Sequence, residues 1–260
     1  MPQDVWNPAQ YARFAHERRQ PFDDLAALVE RVAAPRVVDL GCGTGELTAE
    51  LHATLGARET LGVERSANML ARSAALARPG LRFVQGDIAD FADTAAWDVV
   101  FSNAALQWLP EHERLLPRVA AAVAPGGQLA IQVPANFDHP THVIAAELAN
   151  DPAFATRFTA PPRTAGVLAP ERYAELLDDL GFVRQSVRLQ VYGHRLASRD
   201  DVVEWVRGTL LTAYESTLPP PLFVEFVERY RERLLPALRD TRPYFYPFKR
   251  ILLWARRDAA

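Results

Sequence analysis

Two rhythms of apolar positions alternate along the first half of the chain. Short, nearly continuous apolar runs occur at Arg36–Leu40 (RVVDL), Thr60–Glu64 (TLGVE), Leu81–Gln85 (LRFVQ), Trp97–Ser102 (WDVVFS) and Gln128–Val133 (QLAIQV). Their length and β-branched content predict buried strands. Between them the period lengthens. Leu47, Leu51 and Leu55 recur four apart, which is one face of a helix. Met69, Leu70, Ser73, Leu76 and Ala77 form a second stripe, with Ser66 as its N-cap. A third helix is expected over Glu111–Val123, stopped by Pro125-Gly126-Gly127. Strands alternating with helices predict a parallel sheet covered on both faces, with right-handed crossovers. Ligands of such sheets bind beyond the carboxyl ends of the strands. The places to inspect are therefore just after Leu40, Glu64, Gln85 and Ser102.

The second half changes character. Pro170 opens a helix striped by Tyr173, Leu176, Leu177 and Leu180 and closed by Gly181. Ser186–Tyr192 alternates as a strand. Val202, Val203, Val206 and Leu210 stripe one further helix; Phe223, Phe226, Val227, Tyr230 and Leu234 stripe another, and Pro219-Pro220-Pro221 separates them. Arg250–Ala255 (RILLWA) reads as a last buried strand, and the Pro-rich piece 150–169 as a loop. The expected organisation is an N-terminal lid segment (1–30), an α/β core (31–195), a helical cap (196–243) and a last strand returning to the core (244–260). The fold class is a doubly wound, mostly parallel, seven-stranded Rossmann-like sheet with the cap inserted before the last strand.

Composition narrows the possibilities. The 260 residues hold 29 Lys plus Arg against 32 Asp plus Glu, a formal net charge of −3. With 49% hydrophobic residues the chain can bury a sizeable core, so disorder is excluded as its main state. A slightly acidic chain without a basic tail argues against nucleic-acid binding, which rests on phosphate neutralisation. Cys42 is the one cysteine, so neither an internal disulfide nor a multi-cysteine zinc site is available. This fits a reducing cytoplasm. The N-terminus has no apolar core of a signal peptide, and no stretch reads as a membrane span.

The glycine-rich turn Asp39-Leu40-Gly41-Cys42-Gly43-Thr44-Gly45 follows the first strand and opens a helix. Glycines at this spacing permit a tight turn and close approach of a ligand. A dinucleotide fingerprint would need a third glycine at position 46, which is Glu46, an anion facing the place of a pyrophosphate. The G-x-G-x-G spacing instead resembles the S-adenosylmethionine (SAM) loop of class I methyltransferases. The resemblance implies that Asp39 favours the SAM ammonium, Glu64 accepts from the ribose hydroxyls, Asp87 accepts from the adenine amino group, and Ile88 walls the base. Gly41, Cys42, Gly43, Arg65, Met69, Asn103 and Trp108 complete the implied cofactor site, with Tyr11 and Arg18 closing over it from the N-terminal segment.

Three further blocks resemble the trans-aconitate methyltransferase family. They are Trp6-Asn7-Pro8 with Tyr11, Phe14, Arg18 and Pro21; Ser102 through Pro110 (SNAALQWLP); and Gln132-Val133-Pro134 through Pro140-Thr141-His142. The ending from Arg250 to Arg257 is also similar. Leu-Gln-Trp occurs as well in malonyl-carrier-protein methyltransferases, so a carrier-bound carboxylate is an alternative substrate, as is another small molecule. A SAM-binding module without activity is the alternative of another class. The resemblance implies methyl transfer to one carboxylate of a small polycarboxylic acid, leaving S-adenosylhomocysteine (SAH). A carboxylate is already ionised at neutral pH, so no general base and no metal is expected. The acid carries about three negative charges and needs donors around it. Candidates to position it are Gln107, Trp108, His142, Trp205, Arg207, Tyr244, Tyr246 and Lys249. Among the cations, Arg207 is preferred over Lys249 and Arg18 as the anchor. Nothing in the sequence sets an oligomeric state.

Overall fold

The computed structural model describes residues 15–158 and 166–259, with side chains from Arg19 onward. In chain order the elements are α1 (Ala15–Ala26), β1 (Arg36–Leu40), α2 (Glu46–Leu55), β2 (Glu59–Glu64), α3 (Ala67–Ser73), β3 (Leu81–Gln85) and β4 (Trp97–Asn103). Then follow α4 (His112–Ala121), β5 (Val123–Pro134), α5 (Pro140–Ala149), α6 (Pro170–Asp179), β6 (Arg184–Leu196), α7 (Asp200–Arg207), α8 (Thr212–Glu215), α9 (Pro220–Ala237) and β7 (Tyr244–Arg256). The seven strands form one sheet in the order β3-β2-β1-β4-β5-β7-β6. β1 pairs in parallel with β2 and β4, as do β2 with β3 and β4 with β5; β7 runs antiparallel to β5. The order reverses between β1 and β4, which makes the carboxyl ends of these two strands the ligand position.

Several elements match the sequence pattern closely. β1 and β3 have the expected bounds. Ser66 caps α3, its hydroxyl accepting from the Met69 amide at 3.1 Å. Gly181, at φ +80°, ends α6, with the amides of Gly181 and Phe182 donating back to Asp178 and Leu177.

Other elements differ for physical reasons. α4 stops at Ala121, and β5 starts already at Val123, ahead of Pro125-Gly126-Gly127. That triplet is a bulge inside a strand. Trp97 pairs with Val123 and Val99 with Gln128, so Asp98 alone faces residues 124–127. A Cβ on Gly127 would lie 2.9 Å from the Ala124 carbonyl oxygen and 3.0 Å from that of Trp97. The alanine-rich run before it carries no period that distinguishes helix from strand. α5 has no counterpart among the expected elements, because its apolar residues are spread around the helix without forming a single stripe. Its start is set by Pro140 and by His139, whose Nδ1 accepts from the Thr141 amide at 3.2 Å. β7 begins at Tyr244, where the expected last segment (244–260) begins and six residues ahead of the apolar run at Arg250. Tyr244, Tyr246 and Phe248 point inward while Phe245 is exposed, an alternation that an all-aromatic run conceals.

The described chain divides into two compact units. One comprises residues 16–135, 166–190 and 250–259; the other comprises 136–158 and Val191–Lys249. The second unit is thus larger than the cap expected over 196–243, since it takes in α5. The first has its core between the strands and helices α4 and α6, around Val38, Leu40, Val100, Leu116, Val119, Leu129, Ile131 and Leu177. On the opposite sheet face α1 packs Phe22 edge-on against Phe101 of β4, ring centroids 5.6 Å apart. Gln128, fully buried, takes the Glu30 amide on its Oε1 (2.7 Å) and donates to the Glu30 carbonyl (2.9 Å). Arg184 and Arg256 both reach the Glu30 carboxylate. Residues 19–30, expected in a lid, are therefore fastened to the sheet. The second unit has its own aromatic core: Trp205, Phe154, Tyr214, Phe226, Tyr230 and Tyr246. Within it Tyr214 stacks on Phe226 at 4.8 Å, and the Tyr230 hydroxyl donates to the Thr141 carbonyl at 3.0 Å.

If α1 is part of the core, Phe22→Ala should cost about 3–5 kcal/mol of unfolding free energy in urea titrations. A loss below about 1 kcal/mol would restore α1 to the lid.

Candidate active site

The loop after β1 is built by three left-handed residues, Gly41 (φ +83°), Gly43 (+58°) and Gly45 (+85°). Each omits a Cβ for a different reason. A Cβ on Gly41 would fall 2.2 Å from Ala105 Cβ, so this glycine lets the segment after β4 close against the loop. One on Gly45 would strike Ser73 and Phe83 at 2.7 and 2.9 Å. At Gly43 the nearest atom is Met69 Cε at 3.7 Å, an ordinary van der Waals contact, so a Cβ would find room on that side. Of the three, Gly43 alone has room for a Cβ; at Gly41 and Gly45 that room is taken by protein.

Glu64, at the end of β2, holds this loop. Its Oε2 accepts from the Gly43 amide at 3.0 Å and its Oε1 from the Ser66 amide at 2.8 Å. Each oxygen keeps a second lone pair, so the carboxylate still offers two acceptors, the arrangement that vicinal hydroxyls require. Asp39 is different. It is almost fully buried and accepts from Thr48 of α2 at 2.5 Å. Burial pushes its carboxyl up to about 7, the Thr48 hydroxyl opposing and the charge of Glu64 adding. Its described role is to brace β1 against α2. Cys42 turns its Sγ inward, 2.9 Å from where a Cβ on Gly62 would be, and burial raises its thiol pKa. Its amide donates to Val63, so Cys42 borders the loop through its backbone.

After β3, Asp87 accepts from the Ala89 amide at 2.9 Å and lies 3.7 Å from the largely exposed Arg65. Ile88 is buried, its Cδ1 3.4 Å from the Cβ position of Gly41, so it adjoins the loop. After β4, Gln107 donates to the Ala104 carbonyl at 2.7 Å. The buried Asn103 Oδ1 and Gln107 Oε1 have no hydrogen-bond partner among the described residues. Trp108 is 38% exposed. The Leu106–Trp108 turn is held by buried His112. Its Nε2 donates to the Leu106 carbonyl (2.9 Å), leaving Nδ1 to accept from the Tyr173 hydroxyl (2.5 Å), which accepts in turn from the Leu168 amide. Burial lowers the His112 pKa and keeps the ring neutral. Sequence reading passed over this relay, whose partners are 61 residues apart. The side chains of Tyr11 and Arg18 lie outside the described residues.

The remaining candidates belong to the second unit. Trp205 is core: it is 2% exposed, packed on His194 at 4.7 Å and on Tyr246 and Phe248 at 5.8 and 5.9 Å. Tyr244 and Tyr246 are buried in the same aromatic cluster, where inward alternation of β7 puts them. Lys249 is bound to the Asp138 carboxylate, which it holds below its usual range. α5 is capped by His139. His142 sits in the first turn, half-buried against Phe137 at 5.3 Å, and burial lowers its pKa to about 4, the neighbouring His139 adding to the shift. Arg207 is exposed at the end of α7, on the solvent side of a helix whose Val202, Val203, Trp205 and Val206 are buried.

The carboxyl ends of β1, β2, β3 and β4 thus gather side-chain acceptors around one glycine loop, and comparison with known proteins identifies the family. Residues 37–127 match the family model of a methyltransferase domain. Trans-aconitate 2-methyltransferase of Deinococcus radiodurans is 43% identical over 258 residues, covering 97% of this chain and 98% of the relative. The enzyme of that name from Methylobacterium nodulans is 41% identical, with 97% and 98% covered. The chain belongs to the trans-aconitate 2-methyltransferase family. Its fold is that of class I SAM-dependent methyltransferases. YcgJ of Bacillus subtilis superimposes with a TM-score of 0.59 at 14% identity, covering 93% of this chain and all of that one. A SAM complex of Haemonchus contortus phosphoethanolamine N-methyltransferase 2 gives 0.56 at 17% identity, covering 92% and 52%. In this member of the family the sequence motifs map onto β1, β2, β3 and β4 ends as anticipated.

The glycine geometry separates two substitutions. Gly41→Ala should lower the melting temperature sharply, because the new methyl overlaps Ala105. Gly43→Ala meets no such overlap and should fold, at about 1–2 kcal/mol for its left-handed backbone. Thermal denaturation of both variants checks this; equal losses would contradict the assignment of room for a Cβ at Gly43.

Proposed function

We propose that this chain transfers the methyl group of SAM to one carboxylate of trans-aconitate, forming a monomethyl ester and SAH. The observation that carries the reading is Glu64, fixed by two backbone amides beside the loop glycine at which a Cβ would find room, in a chain nearly co-extensive with relatives of that name. The residues fit the cofactor. Glu64 presents two acceptors to a ribose, Asp87 one to an adenine amino group, and Ile88 an apolar wall. Asn103 Oδ1 and Gln107 Oε1 are buried acceptors suited to an ammonium. Bound SAM supplies an electrophilic methyl on a sulfonium. The acid's carboxylate is ionised at neutral pH, so the chain needs no proton acceptor. Its contribution is to align the carboxylate oxygen and to exclude water, effects worth about 7–11 kcal/mol in well-oriented systems. The substrate is a small polycarboxylate, with neither nucleic acid nor membrane involved, and the compartment is the cytoplasm. Among the described residues no helix is long and apolar enough to cross a membrane.

Turnover of tritiated SAM should be greatest with trans-aconitate in a panel of polycarboxylates and malonyl carrier protein. Absence of turnover on every acid would overturn the reading, and turnover on the carrier alone would replace it. Activity should persist in EDTA; loss on chelation, restored by magnesium or zinc, would contradict a reaction that needs only positioning. Glu64→Ala should weaken SAM binding about 10- to 150-fold, the effect of losing charge-assisted hydrogen bonds. Calorimetry showing unchanged affinity in the folded variant would refute the ribose role.

A further inference from the structure

Alternation along the strands sorts the side chains at their carboxyl ends by sheet face. Asp39 lies opposite Gly62 on β2 and Phe101 on β4, so Glu64 and Asn103, each two residues on, share its face. Asn103 is opposite Gln132 on β5, and Gln132 is opposite Leu252 on β7; Arg250, two residues away, joins the same face. Below this row the face is covered by α1 through Phe22 and by Glu30 on Gln128. The row itself contains polar groups that a strand interior does not normally carry. Gln132 is fully buried and Arg250 is 5% exposed.

Their mutual orientation is determined. Arg250 donates through Nη1 to Gln132 Oε1 at 3.2 Å. The opposite amide rotamer would set NH2 against the guanidinium, donor facing donor, so Oε1 and not Nε2 is the atom turned to Arg250 Nη1. That Nε2 is buried and has no acceptor among the described residues. A buried donor left unsatisfied is costly, and such groups in native proteins call for an explanation. An amide donor set beside a guanidinium matches a carboxylate, with an N–H for each oxygen.

We propose that Gln132 and Arg250 form the seat for a carboxylate of the acid substrate. The inference rests on the methyltransferase reading above and adds to it the residues that hold the polyanion. Neighbouring strands are about 4.8 Å apart. The seat on β5 and β7 therefore adjoins Asn103 on β4, at the strand-order reversal, while Glu64 on β2 lies two strands from Asn103 on its other side. The seat stands in place of the cations favoured by sequence. Lys249 already serves Asp138, and Arg207 faces solvent. SAM also has a carboxylate, and the test separates the two sources.

The test is calorimetric titration of trans-aconitate into SAH-saturated protein, which has no methyl to transfer, together with titration of SAH alone. The variants are Gln132→Glu, which puts a competing carboxylate against Arg250, and Gln132→Leu, which removes the donor at similar volume and serves if the first does not fold. Either should bind SAH within about twofold of wild type and trans-aconitate about 10- to 150-fold more weakly. Unchanged trans-aconitate affinity in a folded variant would overturn the seat. Loss of SAH affinity with trans-aconitate affinity kept would overturn it too, assigning the seat to the cofactor. If the wild-type protein itself failed to bind trans-aconitate, both the seat and the proposed substrate would fall.

Discussion

The contact on which the candidate site depends is the Glu64 carboxylate shared between the amides of Gly43 and Ser66. One amide belongs to the loop leaving β1, the other to the turn leaving β2, so a single side chain sets both. The consequences spread outward. Fixing Gly43 fixes the left-handed backbone from which α2 starts. Fixing Ser66 fixes the cap of α3, and α3 carries Met69, the atom nearest the open side of Gly43. A carboxylate at the start of α3 also meets the positive end of its dipole. The charge on Glu64 thus has a structural use before any ligand arrives, and it keeps the remaining lone pairs directed outward.

How much of this is legible in the sequence depends on the range of the cause. β1, β3, the Ser66 cap and the Gly181 stop follow from local period and local capping chemistry, and the structure agrees with them. The strand-end acids are legible because an α/β unit puts every such residue at one edge. The failures lie where local signals are degenerate. Ala120-Ala121-Ala122 fits helix and strand equally, so the β5 bulge was read as a helix stop. The apolar residues of α5 are spread around the helix and offer no single stripe. The aromatic start of β7 hides which rings point inward.

The substrate side was harder because its determinants are distant in sequence. Arg207, Lys249 and Trp205 stand out in a linear reading as a cation near aromatics. In three dimensions a helix-end arginine beside four buried neighbours faces water, a lysine finds Asp138, and the tryptophan fills a core. Arg250 and Gln132 are 118 residues apart, and each alone reads as an incidental polar residue in a strand. Only the antiparallel register of β5 and β7 brings them to one face.

Strand order turns these separate residues into a charge axis along the sheet edge. Reading from β3 and β2 one meets carboxylates, Asp87 and Glu64. β1 contributes Asp39, whose carboxyl is pushed up by burial to about 7, so that it is about half ionised at neutral pH. β4 contributes the neutral amide of Asn103, and β5 and β7 an amide and a guanidinium. A sulfonium cofactor with ribose and ammonium groups is favoured toward the acidic end, and a polyanion toward the basic end, with β4 between them. Were Asp39 fully charged, it would extend the negative field one strand nearer the substrate. Its raised pKa weakens that field near neutral pH, and the burial that raises it is the same burial that braces β1 against α2 through Thr48.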